Sequence, residues 1–220
     1  MNVNKMANER KNQFIYQNKE ETMKSVKLYI MLSFLLVAAP YVFADEAALP
    51  KPGVLNEESV MTSQRLSTYD TIVIKDFSTE GAVYDRIDDE EKPKVEAMKP
   101  LIVKNLTLSI IAEMKKRKFF KNVVENGDVK EKAVILEGNF TEFNGGSRAL
   151  RFWVGMGAGK TYLKAKGRLI DAQSGKELAT FEDQETGVEG WGSLKSFEDL
   201  FPHQAKSLGE HIGEFIEKLY

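Results

Sequence analysis

The sequence predicts an α/β (α+β) protein: a two-layer sandwich in which two main helices lie on a mixed or antiparallel sheet of about four to five strands. Three observations carry this reading. Lys92–Lys118 and Ser196–Leu219 are long stretches with apolar residues at helical spacing. Thr71-Ile72-Val73-Ile74-Lys75-Asp76-Phe77 is β-branched and apolar on both faces, as a buried strand requires. Thr161–Asp171 and Lys176–Gln184 flank the turn Asp171-Ala172-Gln173-Ser174-Gly175, and their alternation predicts a hairpin with one dry and one wet face.

Before these elements come three segments of different character. Residues 1–22 are polar and lack apolar periodicity, so they read as a prefix from a start codon assigned too early. Met23-Lys24-Ser25-Val26-Lys27 is a short basic start, and Leu28–Val37 begins an apolar run that continues to Val42. Val42-Phe43-Ala44 then offers residues that suit signal peptidase, so 23–44 reads as a signal peptide cleaved after Ala44. That predicts a periplasmic address. A transmembrane anchor is the rival reading, but the uncharged stretch is near the lower limit for a span and contains Pro40. Residues 45–68 hold Leu49-Pro50-Lys51-Pro52-Gly53 without a clear period and read as a linker or arm. A single globular domain is expected over 69–220.

Within that domain the polar stretch Ser78–Glu91 reads as a loop. In the first helix Val103, Leu106, Ile110, Ile111 and Met114 gather on one face, Pro100 kinks or restarts the helix, and Lys115–Lys118 suit the negative end of its dipole. Phe119–Val124 reads as a short strand and Ala133–Phe143 as a long one. The last helix carries the stripe Phe201, Ala205, Leu208, Ile212, Phe215, Ile216 and Leu219 opposite a charged face.

Composition narrows the function classes. Of 31 Lys/Arg and 33 Asp/Glu, residues 1–44 hold six and three, leaving 25 basic against 30 acidic residues from Asp45 onward. A net charge of −5 argues against nucleic acid or an anionic membrane as the main partner. Without cysteine there is no lipid attachment at a processed cysteine, no disulfide and no thiolate metal site.

Two stretches carry a family resemblance. The first is Val134-Ile135-Leu136-Glu137-Gly138-Asn139-Phe140-Thr141-Glu142-Phe143, followed by the glycine-rich run Gly145–Lys160; the second is Leu169-Ile170-Asp171-Ala172-Gln173-Ser174-Gly175-Lys176-Glu177-Leu178. Together they resemble the bacterial envelope family known as domain of unknown function 4410, over roughly Tyr69 to Tyr220. The resemblance implies an envelope setting and supplies no catalytic residues. Many members are lipoproteins, and the missing cysteine departs from that pattern.

The candidate sites are few. Gly155-Met156-Gly157-Ala158-Gly159-Lys160-Thr161 invites a phosphate-loop reading, but Val154 stands where the first glycine is needed and a strand is expected to follow. No nucleotide or other cofactor is therefore expected. The same run holds Phe152, Trp153, Val154 and Met156 between Arg148, Arg151 and Lys160. These residues either fold back over the sheet as core cover, as large apolar residues usually do, or project as a partner-binding patch. Asp199, His203 and Ser207 recur at four-residue steps, yet they lie on a polar helix face without oxyanion donors. His203 and His211 do not share a face, so no metal site is expected. The acidic run at Asp85 and Asp88–Glu91 lacks the spacing of a calcium loop and suits a helix start. Gly209 and Gly213 are expected to let the last helix approach the sheet closely.

These readings predict a non-enzymatic binding or assembly module of the cell envelope, with an envelope protein as partner and Arg148–Lys160 as the contact. A hydrolase or small-ligand binder with an unadvertised pocket, or a subunit of an export assembly, is the alternative. Membrane contact and oligomeric state stay open.

Overall fold

The computed structural model describes Met23 and residues 47–128, 132–147, 159–187 and 196–220. The chain divides into two units, Met1–Asp45 and Glu46–Tyr220, and every element named here belongs to the second. In chain order these are β1 (Glu57–Val60), β2 (Thr71–Ile74), β3 (Val83–Asp85), α1 (Lys92–Arg117), β4 (Asn122–Glu125), β5 (Ala133–Asn144), β6 (Tyr162–Asp171), β7 (Glu177–Thr186) and α2 (Phe197–Leu219). The sheet runs β1-β7-β6-β5-β2-β4, with β3 beside the far end of β5. β5, β6 and β7 form an antiparallel meander, β1 joins β7 antiparallel, and β2 lies parallel between β4 and β5.

The expected mixed sheet with two helices is present, but it has seven strands rather than four or five. The two additional strands are β1 and β3, of four and three residues. Neither has an alternating apolar pattern, since each pairs with an edge that longer strands have already made. β1 belongs to the segment expected as a linker or arm. There the Glu58 carboxylate accepts N–H bonds from Gly53 at 2.7 Å and from Val54 and Leu55 at 2.8 Å. Leu55 and Leu66 are buried with the core, so packing begins ahead of Tyr69.

One face of the sheet is dry. Val134, Leu136 and Phe140 of β5, Leu163, Ala165 and Leu169 of β6, and Ala179 and Phe181 of β7 are buried on it. The two helices cover this face. All seven residues of the expected α2 stripe are buried, and Phe215 lies 5.4 Å from Phe181 between ring centroids. In α1 Leu106, Ile110, Ile111 and Met114 of the expected stripe are buried while Val103 is only half-buried, and the buried set extends beyond the stripe. It includes Ile102 and, unexpectedly for polar residues, Thr107 and Ser109, because α1 touches α2 as well as the sheet. Thr107 donates to Asp76 Oδ1 at 2.7 Å, and Ser109 donates to the Lys206 carbonyl at 2.8 Å.

The glycine pair of α2 serves the other helix, not the sheet. A Cβ on Gly209 would stand 2.6 Å from the Ser109 Cβ, and one on Gly213 would stand 2.7 Å from the Glu113 Cβ. At the short strand β4, pairing starts at Asn122, later than expected. Phe119 and Phe120 instead pack on Tyr220, at centroid distances of 4.6 and 5.2 Å, and so close the end of the sandwich.

The Gly209 contact yields a sharp test. Alanine there gains about 1 kcal/mol of helix propensity. Separating two packed helices costs about 1–3 kcal/mol. Gly209→Ala should therefore lower the urea midpoint; an unchanged or raised midpoint would show that the helices can move apart freely.

Candidate functional site

No helix covers the second face of the sheet among the described residues, and the register shows how its side chains are arranged. Nearest the start of β5 lies an apolar row, Val124, Val73, Ile135 and Ile170, on neighbouring strands. The next row is Glu137, Arg168, Thr180 and Ser59. Beyond it comes Asn139, Lys166, Glu182 and Glu57. The row between these two, Gly138, Gly167, Phe181 and Glu58, alternates to the other side. A trough therefore crosses the strands between two polar walls, floored by backbone, with a volume of about 810 Å³. Lys75, Asp76 and Ser78 close one end of it.

The two glycines in the floor are required by aromatic rings on the dry side. A Cβ on Gly138 would stand 2.5 Å from the Phe77 ring and 2.4 Å from the Lys166 carbonyl oxygen. One on Gly167 would stand 2.4 Å from the Phe181 ring. Since part of the Gly138 obstruction is backbone, Gly138→Ala should destabilise by about 1–3 kcal/mol. A denaturant melt checks this, and a neutral result would mean that the two strands can separate there.

Several charges on this face are neutralised across strands. Arg168 donates to Glu137 at 2.7 and 2.9 Å and to Glu177 at 2.8 Å. Lys164 pairs with Glu182, which holds the lysine above its usual range chiefly through that hydrogen bond. Tyr162 donates to Glu142 at 2.5 Å, and burial followed by this bond raises its phenol. Lys166 is exposed and has no ion pair among the described residues. At the end of β2, Asp76 and Asn126 grip each other: Asp76 N–H donates to Asn126 Oδ1 and Asn126 Nδ2 donates to Asp76 Oδ2, both at 2.8 Å.

Of the residues expected to bind a partner, Arg148, Arg151, Phe152, Trp153, Val154 and Met156 lie outside the described residues. Lys160 is described and half-buried, at the base of that segment. The base itself is closed, because Ser147 N–H donates to the Gly159 carbonyl at 2.8 Å. Strand β6 follows Lys160 and Thr161, so the helix start that a phosphate loop needs is not there. Thr161 is buried and holds Gln204 of α2, whose amide donates to its carbonyl and hydroxyl oxygens at 2.9 Å.

The structure separates the other candidate groups. Asp199 forms a capping box with Ser196 at the start of α2. His203 is exposed at the groove between the helices. In the acidic run, the Asp88 side chain accepts N–H bonds from Glu90 at 3.0 Å and Glu91 at 2.8 Å, just ahead of α1, and its carbonyl accepts the Lys92 N–H at 3.0 Å. His211 lies against Asp183 at 3.2 Å and Glu185 at 3.6 Å, a grouping the sequence reading missed. The missed signal is the alternation of β7, which carries Asp183 and Glu185 onto the dry face after Ala179 and Phe181. No three His, Asp or Glu side chains among the described residues are arranged to hold a metal ion. No described helix is long and apolar enough to cross a membrane.

Among the described residues, fold and surface define an α/β module with its helices on one side of the sheet and charge-lined strands on the other. The chain belongs to the family described as Domain of unknown function (DUF4410), whose model matches residues 72–190. No curated protein matches the sequence. Among solved structures it is similar to the PelC dodecamer from Paraburkholderia phytofirmans, at 8% identity and a TM-score of 0.41, covering 72% of this chain and 94% of that one. It is also similar to a homolog of the neuraminyllactose-binding hemagglutinin from Helicobacter pylori, at 12% identity and a TM-score of 0.37, covering 68% and 83%. Likenesses this distant carry no argument about what this chain binds.

Proposed function

We propose that this chain is a non-enzymatic binding or assembly module of the cell envelope, exported by the segment 23–44 and acting in the periplasm on an envelope protein. The open sheet face is the observation that supports this reading. It offers a broad polar trough, and on the same face Glu137, Arg168 and Glu177 neutralise one another, as do Lys164 and Glu182. Acids and bases spent on each other in this way suit recognition better than proton transfer, which needs a group poised near the working pH. The segment Arg148–Lys160 is the proposed contact. The trough also supports a second reading, a binder of small polar ligands.

Two measurements test the proposal. Protein recovered from the envelope and sequenced from its amino terminus is expected to begin at Asp45; an intact start at Met1 or Met23 would remove the export step. A photocrosslinker in place of Trp153 is expected to give a discrete intermolecular adduct in living cells, with the same probe at Lys166 reporting on the trough. Adducts from neither position would sink the partner-binding reading.

A further inference from the structure

The trough is electrically asymmetric along its length. Its far wall runs Asn139, Lys166, Glu182 and Glu57 on β5, β6, β7 and β1, and its near wall runs Glu137, Arg168, Thr180 and Ser59 on the same strands. Both cations of the walls therefore stand on β6, and the carboxylates of β7 and β1 lie to one side of them.

Most of the charges around the trough are taken up by neighbours. Arg168 holds Glu137 and Glu177, and Lys164 holds Glu182. At the β2 end, Lys75 donates to the Gly127 carbonyl at 2.8 Å and to Asp128 at 3.2 Å, while Asp76 accepts from Thr107 at 2.7 Å and from Asn126 at 2.8 Å. Glu58 is turned to the N–H groups of the arm. Two exposed side chains remain without an ion pair among the described residues, Lys166 on β6 and Glu57 on β1. Lys164 feels Glu57 only as a lesser attraction beside its bond to Glu182. The trough thus has one surplus positive charge at β6 and one surplus negative charge at β1.

Lys166 and Glu57 share a wall and are two strand spacings apart, about 10 Å between backbones. The walls are two residues apart along each strand, about 7 Å. A ligand that complements this frame is extended and carries an anionic and a cationic group about 10 Å apart. A dicarboxylate would set one of its charges against Glu57, a diamine would set one against Lys166, and a neutral polyol would match neither. Three extended peptide residues span about 10 Å and end in an ammonium and a carboxylate, whereas a single amino acid is too short to reach both.

We propose that the trough binds a short peptide of about three residues with both termini free, its carboxylate on Lys166 and its amino terminus on Glu57. The proposal rests on the reading of the trough as a site for small polar ligands and names their class. On the opposite wall Thr180 stands level with the middle of such a chain and Ser59 with its amino end, so both offer hydroxyls to its backbone.

The test is calorimetric titration of the full-length protein with tri-alanine and with its amino-acetylated and carboxy-amidated forms. Tri-alanine is expected to bind, and each blocked form about tenfold more weakly, as the loss of one charge-assisted contact implies. Lys166→Gln should remove the preference for a free carboxylate alone, and Glu57→Gln the preference for a free amine alone. Blocked forms that bind as well as tri-alanine would overturn the proposal, as would variants that keep both preferences. The blocked peptides decide the matter on the unaltered protein even if a variant does not fold. Glutarate, spermidine and maltotriose separate the proposal from the reading beneath it. Binding of one of these in place of tri-alanine, altered by either substitution, would overturn the peptide and leave the trough a polar-ligand site. No such binding by any of the four probes would overturn both.

Discussion

The close approach of α1 and α2 is the constraint on which the rest of the structure depends. Two helices can share one face of a seven-stranded sheet only if they lie side by side with little between them. Gly209 and Gly213 remove the side chains that would hold them apart, and Ser109 and Glu113 occupy the space. The polar cost of that contact is met locally. Ser109 bonds to the Lys206 carbonyl and Asn105 to the Pro202 carbonyl, so backbone oxygens near the contact have partners.

Placing both helices on one face leaves the polar rows of the other exposed or half-buried among the described residues, with Val73 buried beside them. Side chains of that face answer the exposure with cross-strand pairs between acids and bases, and such exposed pairs contribute little to stability. Residues on that face are therefore comparatively free to change, and a binding surface can be built there without disturbing the core. The exception is the floor of the trough. Gly138 and Gly167 are bound to the dry side by the rings of Phe77 and Phe181, so the shape of the trough depends on aromatic packing beneath it.

The Asp183–Glu185–His211 group reverses this division. It puts charge on the dry face, near the edge where the arm adds β1. β1 is an edge strand of four residues that carries Glu57 and Glu58. β2, by contrast, is buried along its whole length.

Local periodicity made most of the architecture legible in the chain itself. The β-branched run at Thr71–Ile74, the alternation of β6 and β7 and the stripe of α2 each follow from which neighbours a short stretch must bury. The family resemblance was legible too, in the strand Val134–Phe143 and the turn at Asp171–Gly175. Tertiary structure alone decided the rest, because each remaining feature joins residues far apart in sequence. β1 and β3 exist only where longer strands leave an edge to pair with. Gly209 finds its reason in α1, roughly a hundred residues earlier in the chain. His211 acquires its partners from β7, and the walls of the trough come from four different strands. Periodicity reports which face of an element is buried; it carries no record of what lies against that face, and the chemistry of this protein resides in those long-range contacts.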